Sequence, residues 1–386
     1  MSGIADKAYN IGDLRRLAQA RLPRAIWEFL ERGTEDDLLT HENIAALQRI
    51  KLVPRVARDV ASRDQSITLF GRKQPMPLII APTGIADLMS WRGERAVAQA
   101  AAQAGIAFSQ ATSSTTPFSE IARIVPEGRW CQLYLWEERQ HSLDLIARAA
   151  DEGFETLVLT VDLPVWPLRE HNKRNGMANP IRPNARLAWD FARHPRWLMG
   201  TMGRYMLNGG VPQFANYPQE ARGKVTGVVS RVTNSPSVTW RDVAELKRRW
   251  PRNLVVKGVL SADDAKAARD HGADGVCVSN HGGRVFDSAP ASIDMLAGVV
   301  DAVGRDATVI WDGGVRRGAD VLKAMALGAQ AVMIGRATLY GAAAGGAEGA
   351  ALALEILRNE IDIGMAMLGV TSLSELDRGF VQTVRD

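Results

Sequence analysis

From residue 77 onward the chain repeats one pattern, a short apolar run followed by a polar-faced stretch of helix length. The runs fall at 77–82 (PLIIAP), 106–110, 130–135 (WCQLYL), 156–161 (TLVLTV), 253–257, 274–279, 307–311 and 330–334. Strands that are apolar along their whole length need cover on both faces. Helices between them supply it, so the strands are expected to run parallel. RGERAVAQAAAQAG and DLIARAADEG have the length and pattern of such helices, and SADD (261–264) and SLSE (372–375) are helix-start signals. Eight strand–helix units within about 250 residues are what a (β/α)8 TIM barrel requires, and residues 77–360 supply that length. The competing arrangement is an open doubly wound sheet, but no G-x-G-x-x-G follows the first strand. The expectation is therefore an α/β chain, one domain over 1–386, with a helical segment at 1–72 and a barrel at 77–360.

One connection breaks the rhythm. After the fourth strand, residues 163–237 pass before the next helical pattern, TWRDVAELKRRW. Connections this long are usually functional. Between 169 and 204 eight arginines and lysines stand against Glu170 and Asp190 alone, interleaved with Trp189, Phe191, Trp197, Met199 and Tyr205. Two readings stay open: a segment, 180–215, lying on an anionic bilayer surface, or a lid packed on the barrel. Nucleic acid is not an expected partner, because no binding fold accompanies the charge.

The two cysteines, Cys131 and Cys277, each lie inside an apolar run and form no C-x-x-C spacing, so neither a disulfide framework nor a metal site is expected. No apolar run reaches the roughly 18 residues of a membrane span. The N-terminal stretch also lacks the apolar core of a secretory signal. The chain reads as cytoplasmic, with the basic segment as its route to the inner face of the cell membrane.

In a barrel the chemistry gathers at the C-terminal ends of the strands. Here strand one ends at Pro82-Thr83-Gly84, strand three carries Gln132 and Tyr134, and strand four delivers Thr160, Asp162 and then Arg169. Strand five ends at Lys257, strand six at Ser279, His281 and Arg284, strand seven in DGGVRRG and strand eight in GRA. The loops after strands seven and eight of such barrels often hold a phosphate. Gly313 and Gly314 allow close approach there, while Arg316 and Arg336 supply charge. Lys257 has two readings, a Schiff-base amine as in a lyase or a fixed cation beside a cofactor. Asp162 is placed to orient His281 as a general base. Arg169 and Arg284 would grip a carboxylate.

The motifs SNHGGR, DGGVRRGAD, ALGAQAVMIGRA, QLYL, LTVDLP and LVVKG resemble those of the FMN-dependent L-2-hydroxy acid dehydrogenase/oxidase family. The resemblance runs from RLPRAIWEFLERG to TSLSEL, and HPRW and GGVPQFANY make the chain most similar to membrane-associated (S)-mandelate and L-lactate dehydrogenases. It implies FMN as cofactor, oxidation of a mandelate- or lactate-like 2-hydroxy acid, and a tetrameric homo-oligomer. His281 would take the proton, with Asp162 holding it, and Arg284, Arg169 and Tyr134 would bind the substrate. Lys257 would sit at the flavin N1–O2 edge. Pro82, Thr83, Gly84, Ser113, Gln132, Thr160 and Ser279 would contact the flavin and ribityl parts. Asp312, Gly314, Arg316, Gly335 and Arg336 would hold the ribityl chain and phosphate. Reoxidation would fall to a quinone or other carrier, or in an oxidase to oxygen; Gly84, where oxidases often carry alanine, favours the dehydrogenase. Two positions depart from the family pattern. Phe29 stands where a tyrosine reaches the substrate, and Ala111 where a serine lies near the flavin.

Overall fold

All eight apolar runs become strands, to within two residues of the expected bounds. They are β1 Leu78–Ile80, β2 Ala107–Gln110, β3 Arg129–Leu133, β4 Thr156–Thr160, β5 Asn253–Val259, β6 Gly275–Val278, β7 Thr308–Asp312 and β8 Ala331–Ile334. The computed structural model describes residues 3–177, 184–219, 223–225 and 234–383. Neighbouring strands pair in parallel, and β8 closes on β1 with Val332 opposite Leu78. This is the (β/α)8 barrel.

Along each strand alternate side chains enter the barrel interior, where Ile79, Trp130, Val158, Val255, Ile310 and Met333 form one apolar cluster. Their neighbours face the helices and join the larger core. The hairpin Ile67–Leu69/Arg72–Gln74 closes the N-terminal mouth. Its Phe70 ring lies 5.8 Å from that of Trp130. A Cβ at Gly275, the first residue of β6, would meet the Phe70 ring at 3.2 Å. With that end plugged, the opposite mouth is left for polar groups.

The start of the chain forms three helices, α1 Ile11–Arg21, α2 Arg24–Glu31 and α3 Leu38–Arg49. Helix was expected up to residue 72, but the chain turns extended after residue 49. Ile50–Leu52 pairs with Val381–Thr383, and Pro54 bars the helix from continuing.

The long insertion after β4 holds short helices, Glu170–Arg174, Ala185–Ala192 and wound turns from Pro195 to Leu207, and then an extended part in which Gln213 bridges Lys224. Arg182, part of its basic run, lies outside the described residues. Part of the segment is anchored. Trp197 is fully buried and donates its indole N–H to Leu88 O at 2.8 Å. Tyr205 accepts from Arg92 N at 2.9 Å. Another part stays outside, with Trp189, Met199, Met206 and Leu207 exposed.

A third contact of the insertion supports α2. Pro23 precedes that helix and has no side chain to cap it. The Asp190 carboxylate does so instead, accepting from Arg24 N at 3.0 Å and Ala25 N at 2.9 Å. A carboxylate at a helix N-terminus also meets the positive end of the helix dipole. Asp190→Ala is expected to cost about 1 kcal/mol in denaturant unfolding, with Asp190→Asn losing less.

Candidate active site

At the exit of β6 the backbone enters the left-handed region for three consecutive residues, His281 (φ 57°), Gly282 (φ 64°) and Gly283 (φ 76°). Two of the three are glycine, for which that conformation is free of strain. Gly283 has a second reason: a Cβ there would lie 2.6 Å from Thr40 Oγ1 and 2.8 Å from Thr40 N of α3. His281 is the residue that bears the strain, as functional residues often do, and its amide donates to Ser279 Oγ at 3.0 Å. This tight loop swings the imidazole over the mouth.

His281 Nδ1 lies 3.0 and 3.2 Å from the two oxygens of Asp162. A carboxylate only accepts, so Nδ1 carries the hydrogen and Nε2 is left with its lone pair. Nε2 lies 3.3 Å from Tyr134 Oη. Gly258 makes room for the pair: β5 bulges between Lys257 and Val259, and a Cβ at Gly258 would sit 2.6 Å from that of Asp162. Burial alone would raise the Asp162 pKa, but His281 and then Lys257 hold it below the usual carboxylate range. Asp162 is therefore ionised beside the imidazole and stabilises its protonated form.

Lys257 is 3% exposed; its Nζ donates to Ser279 Oγ at 2.7 Å and lies 2.9 Å from Asp312 Oδ2. Burial opposes the charge, yet Asp312 wins and raises the ammonium above its ordinary range. A Schiff base needs a neutral amine, so the geometry supports the fixed-cation reading of Lys257.

Four arginines converge with no directly paired carboxylate among the described residues, although Glu31 and Asp37 act on them from further off. Arg284 donates to the carbonyls of Arg32 (2.6 Å) and Leu30 (3.5 Å) and lies 5.7 Å from the Phe29 ring centroid. Arg169 spends Nε and Nη2 on Arg284 O, at 3.2 and 2.8 Å. Arg336 donates to Gly282 O at 2.8 Å and to Leu30 O at 3.3 Å. Arg316 donates to Val315 O at 2.9 Å and to Tyr340 Oη at 3.2 Å. None of the four forms an ion pair with a described residue. Burial pushes the pKa values of Arg169, Arg284 and Arg336 down, and repulsion among them adds to it. Half-buried cations without a paired anion suit anionic ligands.

The unsatisfied groups suit FMN. Asp312 Oδ1 and Arg336 Nη2 are buried without a hydrogen-bond partner, and they match a ribityl hydroxyl and a phosphate oxygen in chemistry. Around them the glycines press close. A Cβ at Gly314 would meet Asn43 O at 3.1 Å, one at Gly335 would meet Thr83 Cγ2 at 3.4 Å, and one at Gly84 would meet Ser113 Cβ at 3.3 Å. Gln132 accepts from Thr112 N at 2.9 Å and donates to Thr160 Oγ1 at 3.1 Å. The residues present fit the group. Among the described residues no cluster of His, Cys, Asp and Glu is arranged to hold a metal. A cavity of about 490 Å³ touches the site at Tyr134 and Thr160 but contains none of the four arginines, so it is not where a phosphate would sit.

Several supporting groups had no signal in the sequence. The Leu30 and Arg32 carbonyls position two arginines, and a backbone acceptor has no residue signature. Tyr217 Oη lies 3.3 Å from Ser113 Oγ. Glu94 accepts from Ser114 Oγ (2.6 Å), Thr115 N (3.1 Å) and Thr116 N (2.9 Å), fixing the turn that presents Ser113. Burial beside Asp87 pushes Glu94 up to about 8. A polar residue at a helix start, as in the RGE of 92–94, was the available clue.

A parallel barrel with a half-buried histidine–carboxylate pair and arginines that form no ion pair among the described residues suits an anionic substrate and a phosphate-bearing cofactor. The model of the FMN-dependent dehydrogenase family matches residues 18–383, and the chain belongs to that family. It is 40% identical to a putative L-lactate dehydrogenase of Mycobacterium tuberculosis over 98% of this chain and 90% of that one. It is 38% identical to a peroxisomal (S)-2-hydroxy-acid oxidase of Oryza sativa, over 98% and 96%. The crystal structure of the monotopic membrane protein (S)-mandelate dehydrogenase superposes with a TM-score of 0.91 at 36% identity, covering 97% of this chain and 99% of the other. The protein is an FMN-dependent enzyme of the (S)-2-hydroxy acid dehydrogenase and oxidase family.

Proposed function

We propose that the enzyme oxidises a mandelate- or lactate-like (S)-2-hydroxy acid to the 2-oxo acid and passes the electrons to a quinone or other carrier at a membrane surface. The observation that carries this reading is the His281–Asp162 pair opposite Tyr134 and beside Arg169 and Arg284. The arginines bind the carboxylate, Tyr134 hydrogen-bonds at the substrate oxygens, and His281 Nε2 receives the proton that leaves. Asp162 fixes the tautomer and offsets the imidazolium charge. When bound, FMN would supply the two-electron acceptor. Gln132, Thr160, Ser279 and Lys257 would hold it, and Asp312, Arg316 and Arg336 would hold its ribityl phosphate. The test is the visible absorption spectrum of the purified protein, taken anaerobically before and after (S)-mandelate and then L-lactate. Flavin bands that bleach with either acid support the reading, and bands that bleach with no 2-hydroxy acid overturn it.

Phe29 keeps an aromatic ring against Arg284 but offers no hydroxyl. A hydrogen bond to a charged group is worth about 1.5–3 kcal/mol. Phe29→Tyr is therefore expected to lower KM for the hydroxy acid about tenfold with little change in kcat, read from steady-state kinetics.

The membrane part of the proposal rests on exposed apolar groups beside arginines on one insertion. Among the described residues no helix is long and apolar enough to cross a membrane, so contact would be peripheral. Excising 180–215 would not test this cleanly, because Trp197 and Tyr205 are part of the packing. Substituting the exposed residues is the cleaner route.

A further inference from the structure

The insertion carries a feature that the chemistry does not use. The helix Ala185–Ala192 lies against α2, and between them is a cleft of about 420 Å³ lined by Arg24, Arg186, Trp189, Asp190, Arg193 and His194. Residues 186, 189, 190 and 193 follow the i, i+3, i+4, i+7 spacing of a single helix face. The charges on that face are not equivalent. Asp190 is committed to capping α2 through Arg24 N and Ala25 N. The Arg24 guanidinium is paired with Glu28 at 2.7 Å. Arg186 and Arg193, by contrast, have no hydrogen-bond or ion-pair partner among the described residues. His194 donates Nδ1–H to Asp190 O at 2.8 Å, which leaves Nε2 available.

A pair of free guanidiniums at a concave site suits a phosphate-type anion. The surroundings indicate where that anion comes from. Trp189 is 67%, Met199 68%, Met206 62% and Leu207 86% exposed on the same insertion. A soluble anion has no use for exposed apolar side chains on the same insertion, whereas a bilayer presents its phosphates directly above an apolar layer. We propose that this cleft holds the phosphate of an anionic lipid headgroup, with Arg186 and Arg193 as donors and Trp189 at the acyl boundary. The proposal rests on the membrane-docking reading above and names the group that gives it headgroup preference.

The experiment is co-sedimentation of the full-length holoenzyme with phosphatidylcholine vesicles, with and without phosphatidylglycerol. Three proteins are compared: wild type, Arg186→Gln/Arg193→Gln, and Arg196→Gln/Arg204→Gln. The last removes the same charge from the same segment outside the cleft. Non-specific attraction acts alike on every cation near an anionic surface, so it predicts equal losses from the two pairs. The expected result is a partition coefficient lowered at least about tenfold by the cleft pair and clearly less by the control pair, with flavin reduction unchanged in both. Equal losses, or wild-type binding that survives the cleft substitutions, would leave docking intact and overturn the cleft. Release from vesicles by low concentrations of inorganic phosphate would assign the cleft to a soluble anion and also overturn it. Wild type that binds no vesicle removes the docking reading and the cleft together.

Discussion

Replacing His281 by alanine is expected to leave the protein folded and FMN bound, while reduction of the flavin by a 2-hydroxy acid slows roughly 10²–10⁴-fold, the usual weight of a positioned general base. The fold should tolerate the change because His281 already occupies the left-handed region (φ 57°), so alanine adds little strain. What is lost is specific. Nε2, 3.3 Å from Tyr134 Oη, is the free lone pair of an imidazole whose other nitrogen is held by Asp162. Asp162→Asn keeps an accepting oxygen but removes the charge that favours the imidazolium, so it should slow the same step. Because the two act as one unit, the double variant should be about as slow as His281→Ala alone. Anaerobic stopped-flow reduction reads all three. Near-normal reduction in His281→Ala, or losses that multiply in the double variant, would remove His281 from the role of base.

The barrel was legible because its strands are buried on both faces and so are written as continuous apolar runs, and every one of them formed. The candidate-site side chains stand out for a related reason: they interrupt those runs at one end. His281, Lys257 and Asp162 are polar residues in places where packing wants none. What could not be read is what joins distant segments. The Asp190 carboxylate caps a helix that begins at Arg24, and no local pattern announces a cap delivered from so far along the chain. The extended stretch after α3 was misjudged as helix because its partner strand, Val381–Thr383, lies at the other end of the chain. Lys257 likewise carries two readings in the sequence, and only its partner on β7 favours one of them.

That partner sets up the second large effect. Lys257 and Asp312 come from β5 and β7 and meet at 2.9 Å inside the barrel mouth, 3% and 8% exposed. Lys257→Met would fill the same space but strand the Asp312 carboxylate, whose Oδ1 already lacks a partner. Breaking one side of a buried ion pair costs about 3–5 kcal/mol, and that loss is expected in denaturant unfolding at neutral pH. Asp312→Asn in the same background removes the stranded charge and should restore most of the stability. Flavin reduction should not return with it if Lys257 has the proposed role of a fixed cation beside the flavin. A double variant that regains both stability and reduction would confine Lys257 to a structural role, and a single variant as stable as wild type across pH would show that Asp312 was never dependent on it.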